Sequence, residues 1–147
     1  MALIIREACD ADARTISNIE DICILSPWTY EMIKDELSLS HTLYLIAEDE
    51  KGEAAGFIGA SIMIDSADIT NVAVLPEKRR MGAGRALVDA MIAELSKRGV
   101  TEVLLEVRAH GIPAIELYKG CGFEQISVRR NYYKDPTDDA LIMRRDI

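Results

Sequence analysis

Apolar and polar positions follow one rhythm in the first half of this chain and another in the second. Leu3 to Glu7 reads as a short strand, and Asp10 sits where an N-cap belongs, ahead of helical spacing that runs to about Ile22. Ser26-Pro-Trp28 interrupts, and Thr29 is placed to cap a second helix, Tyr30 to Leu39. Thr42 to Glu48 is strand-like, and Asp49 to Gly52 marks a hairpin turn. Ala54 to Ile64 and Ala67 to Val74, divided by Asp65-Ser66, read as antiparallel neighbours. The run Glu48-Asp-Glu50 reads as a solvated turn.

After Val74 the spacing changes. Leu75 to Met81 is a basic loop. Gly82 to Arg98 is helical, with Leu87, Met91 and Leu95 on one face, Val88 and Ile92 beside them, and Gly99 as the stop. Glu102 to Val107 is a strand, and Ile112 to Cys121 is a short helix opened by Pro113. Glu124 to Arg130 and Ala140 to Arg144 close as strands. The predicted order is βααβββαβαββ. That order implies an α/β fold, a mixed and mostly antiparallel sheet with flanking helices, in a single domain over 1–147.

Composition narrows the function. Of 147 residues, 49% are apolar and 29% charged, as in a globular protein with a core. The net charge is −8 and unevenly spread: 4 basic and 14 acidic side chains precede Glu77, while 13 basic and 11 acidic follow from it. A broadly acidic surface argues against non-specific binding to nucleic acid or anionic membrane. The apolar opening Met1 to Ile5 meets Arg6, Glu7 and Asp10 at once, so it makes no signal-peptide core. No apolar run approaches the roughly 20 residues of a membrane span. Cys9, Cys23 and Cys121 lack CxxC spacing, which predicts neither zinc site nor disulfide framework and points to a reducing cytoplasm. Cys121 reads as a small buried hydrophobe.

Val72 to Arg85 carries the chemistry. An apolar strand enters a basic, glycine-containing loop that opens a strongly patterned helix. Helix N-termini present unpaired N–H groups and a positive dipole end. Gly82 and Gly84 allow close approach to the backbone, and Lys78, Arg79, Arg80 and Arg85 add charge, a combination suited to a pyrophosphate. Taken alone, the same residues also describe a solvated basic turn. No Gly-Lys-Ser/Thr follows, which excludes a P-loop, and Leu87 occupies the third glycine position of the dinucleotide fingerprint.

Here the chain resembles the GNAT acyltransferase superfamily. Arg79-x-x-Gly82-x-Gly84, after Asn71 to Val74, matches its acetyl-CoA signature. Leu105 to Arg108, Ala114 to Tyr118, Gly122-Phe123, Arg130 to Tyr133 and Asp139 to Met143 look in order like the protein N-terminal acetyltransferases. With Ser26-Pro-Trp28, the likeness is to the bacterial branch acting on the N-terminal alanine of a small-subunit ribosomal protein, and it spans nearly the whole chain.

The resemblance implies a GNAT fold with acetyl-CoA as co-substrate, no metal, and a protein N-terminus as acceptor. It implies that Val72, Ala73 and Val74 bind the pantetheine arm and thioester. By the same match Arg79 belongs to the cofactor-binding loop, the amides of Arg80, Met81, Gly82, Ala83, Gly84 and Arg85 hold the pyrophosphate, Glu106 is the general base and Tyr118 the general acid. Trp28, Tyr132 and Tyr133 would line the acceptor cleft. One departure stands at Gly111, preceded by His110, where the family commonly has an Asn touching CoA.

The chemistry agrees. A protein α-amino group has a pKa of about 8, so a modest base suffices to free it. Partial burial of Glu106 within Val103 to Val107 would raise its pKa toward that task. By position alone Glu106 can equally face solvent on an alternating strand, and a tyrosine placed like Tyr118 more often packs its ring in the core. A small-molecule amine acetyltransferase and a non-catalytic acyl-CoA-binding module remain the alternatives, separated by the width of the cleft and by turnover. The acidic first half, flanking the acceptor cleft with its two helices, would steer a basic ribosomal protein into it.

Overall fold

The computed structural model describes residues 3–147; Met1 and Ala2, part of the apolar opening discussed above, lie outside the described residues. The predicted element order is the observed one. Strands β1 (Ile4–Glu7), β2 (Thr42–Glu48), β3 (Ala54–Met63), β4 (Ser66–Val74), β5 (Glu102–Arg108), β6 (Glu124–Tyr133) and β7 (Asp138–Asp146) form one sheet in the order β1-β2-β3-β4-β5-β7-β6. All neighbours are antiparallel except β4 and β5.

Helices α1 (Ala13–Cys23) and α2 (Tyr30–Ser38) cover one face of the sheet, and α3 (Ala83–Lys97) and α4 (Ile112–Gly120) the other. Strand β2 shows why both faces need cover. Leu43, Leu45 and Ala47 pack toward α3, whereas Tyr44 and Ile46 pack toward α1 and α2 with Phe57. A strand buried on both sides reads as a continuous apolar run, and β2 and β3 do. Leu87, Met91 and Leu95, the predicted stripe of α3, are fully buried.

Three expectations are corrected. Asp10 does not cap the first helix: a 3-10 turn, Asp10–Asp12, intervenes, and Asp12 is the acid in use. Its carboxylate accepts the Cys9 N–H at 2.8 Å and pairs with Arg6 at 2.8 Å. Arg6 holds Asp12 down to about 2, burial opposing it. Asp49 does make the turn, but is buried rather than solvated; it accepts the Lys51 and Glu53 N–H groups and the Lys78 ammonium at 2.7 Å. Last, β6 runs three residues further than expected and is exposed along almost its whole length. Thr29 caps α2 as anticipated, accepting from Met32 N–H at 3.2 Å.

Candidate active site

The cleft begins where the parallel pairing ends. Strands β4 and β5 are paired only over Ser66–Ile69 and Glu102–Leu105. Opposite Gly59 and Ala60 the β3–β4 register slips, leaving Thr70 as the extra residue. Such a bulge bends its strand and re-aims side chains. Beyond it β4 and β5 part, and the outward backbone groups of Thr70 to Val74 have no β5 partner. The gap is a cleft of about 660 Å³. It continues past Glu106 into a groove of about 500 Å³ lined by Asp68, Arg129 and Ile142.

Into this cleft the structure brings Glu106, Tyr118, Trp28, Tyr132, Tyr133, Val72 and Gly111, seven of the residues singled out by sequence. Glu106 is the first residue of β5 past the pairing. Val103, Leu105 and Val107 turn to the core, so Glu106 turns to the opening. Glu106 is exposed as a residue, while its side chain is 32% accessible, with Arg129 at 3.7 Å. Next to it the Tyr132 hydroxyl keeps its proton more tightly, because the Glu106 carboxylate accepts from it and repels its anion.

Tyr118, on α4, is buried, its ring edge-on to Phe123 at 6.0 Å between centroids. Burial, with lesser contributions from Tyr133 and Cys121, pushes its hydroxyl up to about 12. It is both core ring and cleft-lining hydroxyl. Tyr132 and Tyr133 meet edge to face at 5.1 Å. Arg108 lies over the Tyr133 ring at 4.3 Å, while its guanidinium donates to Pro136 O at 2.9 Å and Lys134 O at 3.5 Å. Those bonds tie down the β6–β7 turn.

The basic loop lies past the end of β4, outside the cleft lining. Gly82 is the N-cap of α3 at φ 78, in the left-handed region that favours glycine, with open space beside it. Gly84 serves packing as well as access, since a Cβ there would stand 3.3 Å from Leu117 of α4. Arg79 folds back, donating to Val74 O at 3.1 Å. Lys78 is committed to Asp49 and does not add to the exposed charge of Arg80 and Arg85. Ala73 faces α1 rather than the cleft. His110, beside Gly111, sits with Nδ1 2.8 Å from Asp138 Oδ1. Asp138 stays low against burial because the His110 ring and the His110 and Asp139 N–H groups bond it.

Of the two early helices, only α1 lines the cleft, with Glu20 and Cys23, followed by Ile24, Leu25, Ser26 and Trp28; α2 stands behind. Sequence reasoning passed over Glu20, Asn71 and Arg108. Glu20 is fully buried, accepting from Trp28 N–H at 3.2 Å and from the Asn71 amide. Its signal was its place on the apolar stripe Ile16, Ile19, Glu20, Cys23.

Residues 13–123 match the model of the acetyltransferase (GNAT) family. Over 128 residues the chain is 37% identical to the [ribosomal protein bS18]-alanine N-acetyltransferase of Escherichia coli, covering 86% of this chain and 85% of that one. It is 31% identical to an N-alpha-acetyltransferase of Sulfurisphaera tokodaii, covering 95% and 90%. The crystal structure of the Escherichia coli ribosomal-protein-alanine N-acetyltransferase superposes with a TM-score of 0.92 at 34% identity, over 99% of this chain and 94% of that one. With its mixed sheet, parted β4–β5 pair and glycine-led α3, this chain belongs to the acetyltransferase (GNAT) family and is an acyltransferase.

Proposed function

We propose that the protein transfers the acetyl group of acetyl-CoA to the N-terminal α-amino group of a protein, and that the acceptor is the N-terminal alanine of a small-subunit ribosomal protein. The observation that carries this reading is one cleft holding an accessible carboxylate, Glu106, and a buried phenol, Tyr118, beside unpaired β4 backbone. The names of the Escherichia coli relatives support the acceptor. Residues 1–147 act as one domain in this reading. The work is cytoplasmic, involves no direct nucleic-acid or membrane contact, and requires no metal; no helix among the described residues is long and apolar enough to cross a membrane.

The residues present fit a CoA pyrophosphate. Helix α3 has 15 residues, opens on Gly82 with no acid in its first turn, and carries exposed Arg80 and Arg85 nearby. The amides of Arg80 to Arg85, with Met81 and Ala83 among them, would hold the pyrophosphate, and Arg79 fixes the loop to Val74. Val72 to Val74 would hold the pantetheine arm, with Gly111 at its side. When bound, acetyl-CoA supplies a thioester-linked acetyl group.

The rest falls to the chain's own groups. Glu106 takes the ammonium proton of the acceptor, directly or through a water its exposure admits. Tyr118 holds its proton far above neutral pH and delivers it to the departing thiolate sulfur. Trp28, Tyr132 and Tyr133 flank the acceptor. The lining itself is not an acidic wall, since Glu20 is buried and Arg108 and Lys134 offset Glu106 and Asp135. Steering of a basic partner would come from the outer surfaces of α1 and α2.

Mass spectrometry of peptides differing in their first residue, incubated with the protein and acetyl-CoA, tests the reading. Acetylation of the α-amine, best with alanine first, is expected. Transfer only to small amines overturns the acceptor assignment, and CoA binding without any turnover overturns catalysis.

A further inference from the structure

Two walls face each other across the cleft, and one of them is fastened by a buried carboxyl group. Glu20 stands on the stripe of α1 formed with Ile16 and Ile19, where an apolar side chain would continue the pattern. Instead a carboxylate with no accessible surface is kept there. Burying a carboxylate is unfavourable unless donors compensate it. Its two donors come from opposite sides: Trp28 N–H from the segment after α1, and the Asn71 amide from β4. Trp28, Asn71 and Glu20 all line the cleft.

The Asn71 side chain is held by Glu20. Asn71 Oδ1 is buried without a donor among the described residues, so the bond from its Nδ2 to Glu20 is what fixes the side chain. One turn further along α1, the Cys23 thiol donates to Val74 O at 3.5 Å. The last turn of α1 is thus seated along Asn71 to Val74, a stretch that includes Val72 to Val74, read above as holding the thioester. Burial pushes the Glu20 carboxyl up while the bonds from Trp28 and Asn71 pull it down.

We propose that Glu20 is a positioning residue for the acceptor: by joining Trp28 to Asn71 it sets how far the α1 wall stands from β4 and so where the acceptor's N-terminal residue seats. The proposal rests on the acceptor reading above for its substrate. It differs from a purely structural role because the spacing of Trp28 from β4 depends on it.

Trp28 is the single tryptophan of the chain, so its emission reports the wall directly. The full-length protein is compared with Glu20→Met, which keeps the bulk and removes both bonds, with Glu20→Gln, and with Asn71→Ser. In Glu20→Met the Trp28 emission of the free protein should shift, and KM for an alanine-starting peptide should rise about tenfold or more, with KM for acetyl-CoA within about twofold. Glu20→Gln should return both toward wild type, because a turned Asn71 amide can accept from the new side-chain NH2 while the remaining oxygen takes the Trp28 N–H. Asn71→Ser should reproduce the Glu20→Met effect in smaller measure. A wild-type peptide KM in Glu20→Met, whatever the emission does, overturns the proposal. So does a fall in Tm with both KM values rising together, the mark of a structural role alone. If the wild-type protein acetylates no peptide, the acceptor reading fails by itself; the emission of Glu20→Met, read without substrate, then decides the tie, and an unshifted spectrum overturns it.

Discussion

The two walls of the cleft are fastened in opposite ways. On the α1 side the fastener is Glu20, a carboxylate without accessible surface whose bonds reach the loop and β4. On the β6–β7 side it is Arg108, half-buried, stacked on Tyr133 and bonded to the carbonyls of Lys134 and Pro136. A buried tie loses both bonds and leaves orphaned polar groups when cut, so its loss is abrupt. The arginine shares its hold among a ring and two carbonyls near water, so its loss is graded. The first wall is set; the second can adjust to what it holds.

The chemistry lies between the walls, and the largest expected effect separates it from both. Glu106→Gln should lower kcat on an alanine peptide at neutral pH by about 10²-fold or more, with peptide KM little changed. Tyr118→Phe should lower kcat by about tenfold or more in the same assay. If either substitution moves KM and leaves kcat alone, those residues belong to a wall and the division fails. With both groups intact, kcat/KM should rise through the amine's pKa, about 8. It should then stay level to pH 10, because Tyr118, pushed up to about 12, keeps its proton there.

Arg108→Met sharpens the comparison next. Steady-state kinetics should show peptide KM rising only about threefold, with a Tm shift worth less than about 1 kcal/mol. A loss as steep as that of Glu20→Met would make the walls alike. The acid limb tests a tie outside both walls. Asp12, held to about 2 by Arg6, is charged in the fold while its ordinary value is 3.8. A depressed carboxylate contributes stability that is complete above the ordinary value and is lost as pH falls through the depressed one. Tm should therefore fall between about pH 4 and 2, and Asp12→Asn should flatten that interval. The smallest effect is salt: raising ionic strength should slow transfer to a basic peptide by a few-fold while leaving a neutral peptide unmoved.

Much of this architecture is legible in the chain because its elements are local. The 3.6-residue spacing of Leu87, Met91 and Leu95 predicts α3, and the continuous apolar runs of β2 and β3 reflect burial on both faces. Glu106 is placed by simple alternation between Leu105 and Val107. What escapes is made by contacts distant in sequence. Glu20 and Asn71 lie 51 positions apart, and Asp49 and Lys78 lie 29 apart. An acid on a helix or in a turn reads as solvated until the fold brings its donors, which is why Glu20 goes unmarked and Asp49 reads as a solvated turn residue. The bulge at Thr70 that opens the cleft has no glycine or proline on β4 to mark it, only Gly59 across from it on β3.

Strand β6 carries a different consequence. It is last in the sheet order, with no neighbour on its outer side among the described residues, so its backbone presents an open row of donors and acceptors. Such an edge invites a second chain to add a strand and extend the sheet indefinitely. The register shifts at Gln125–Ser127 and Arg129–Tyr133 break the row. The same segment that closes the cleft is thereby a poor template for a further strand.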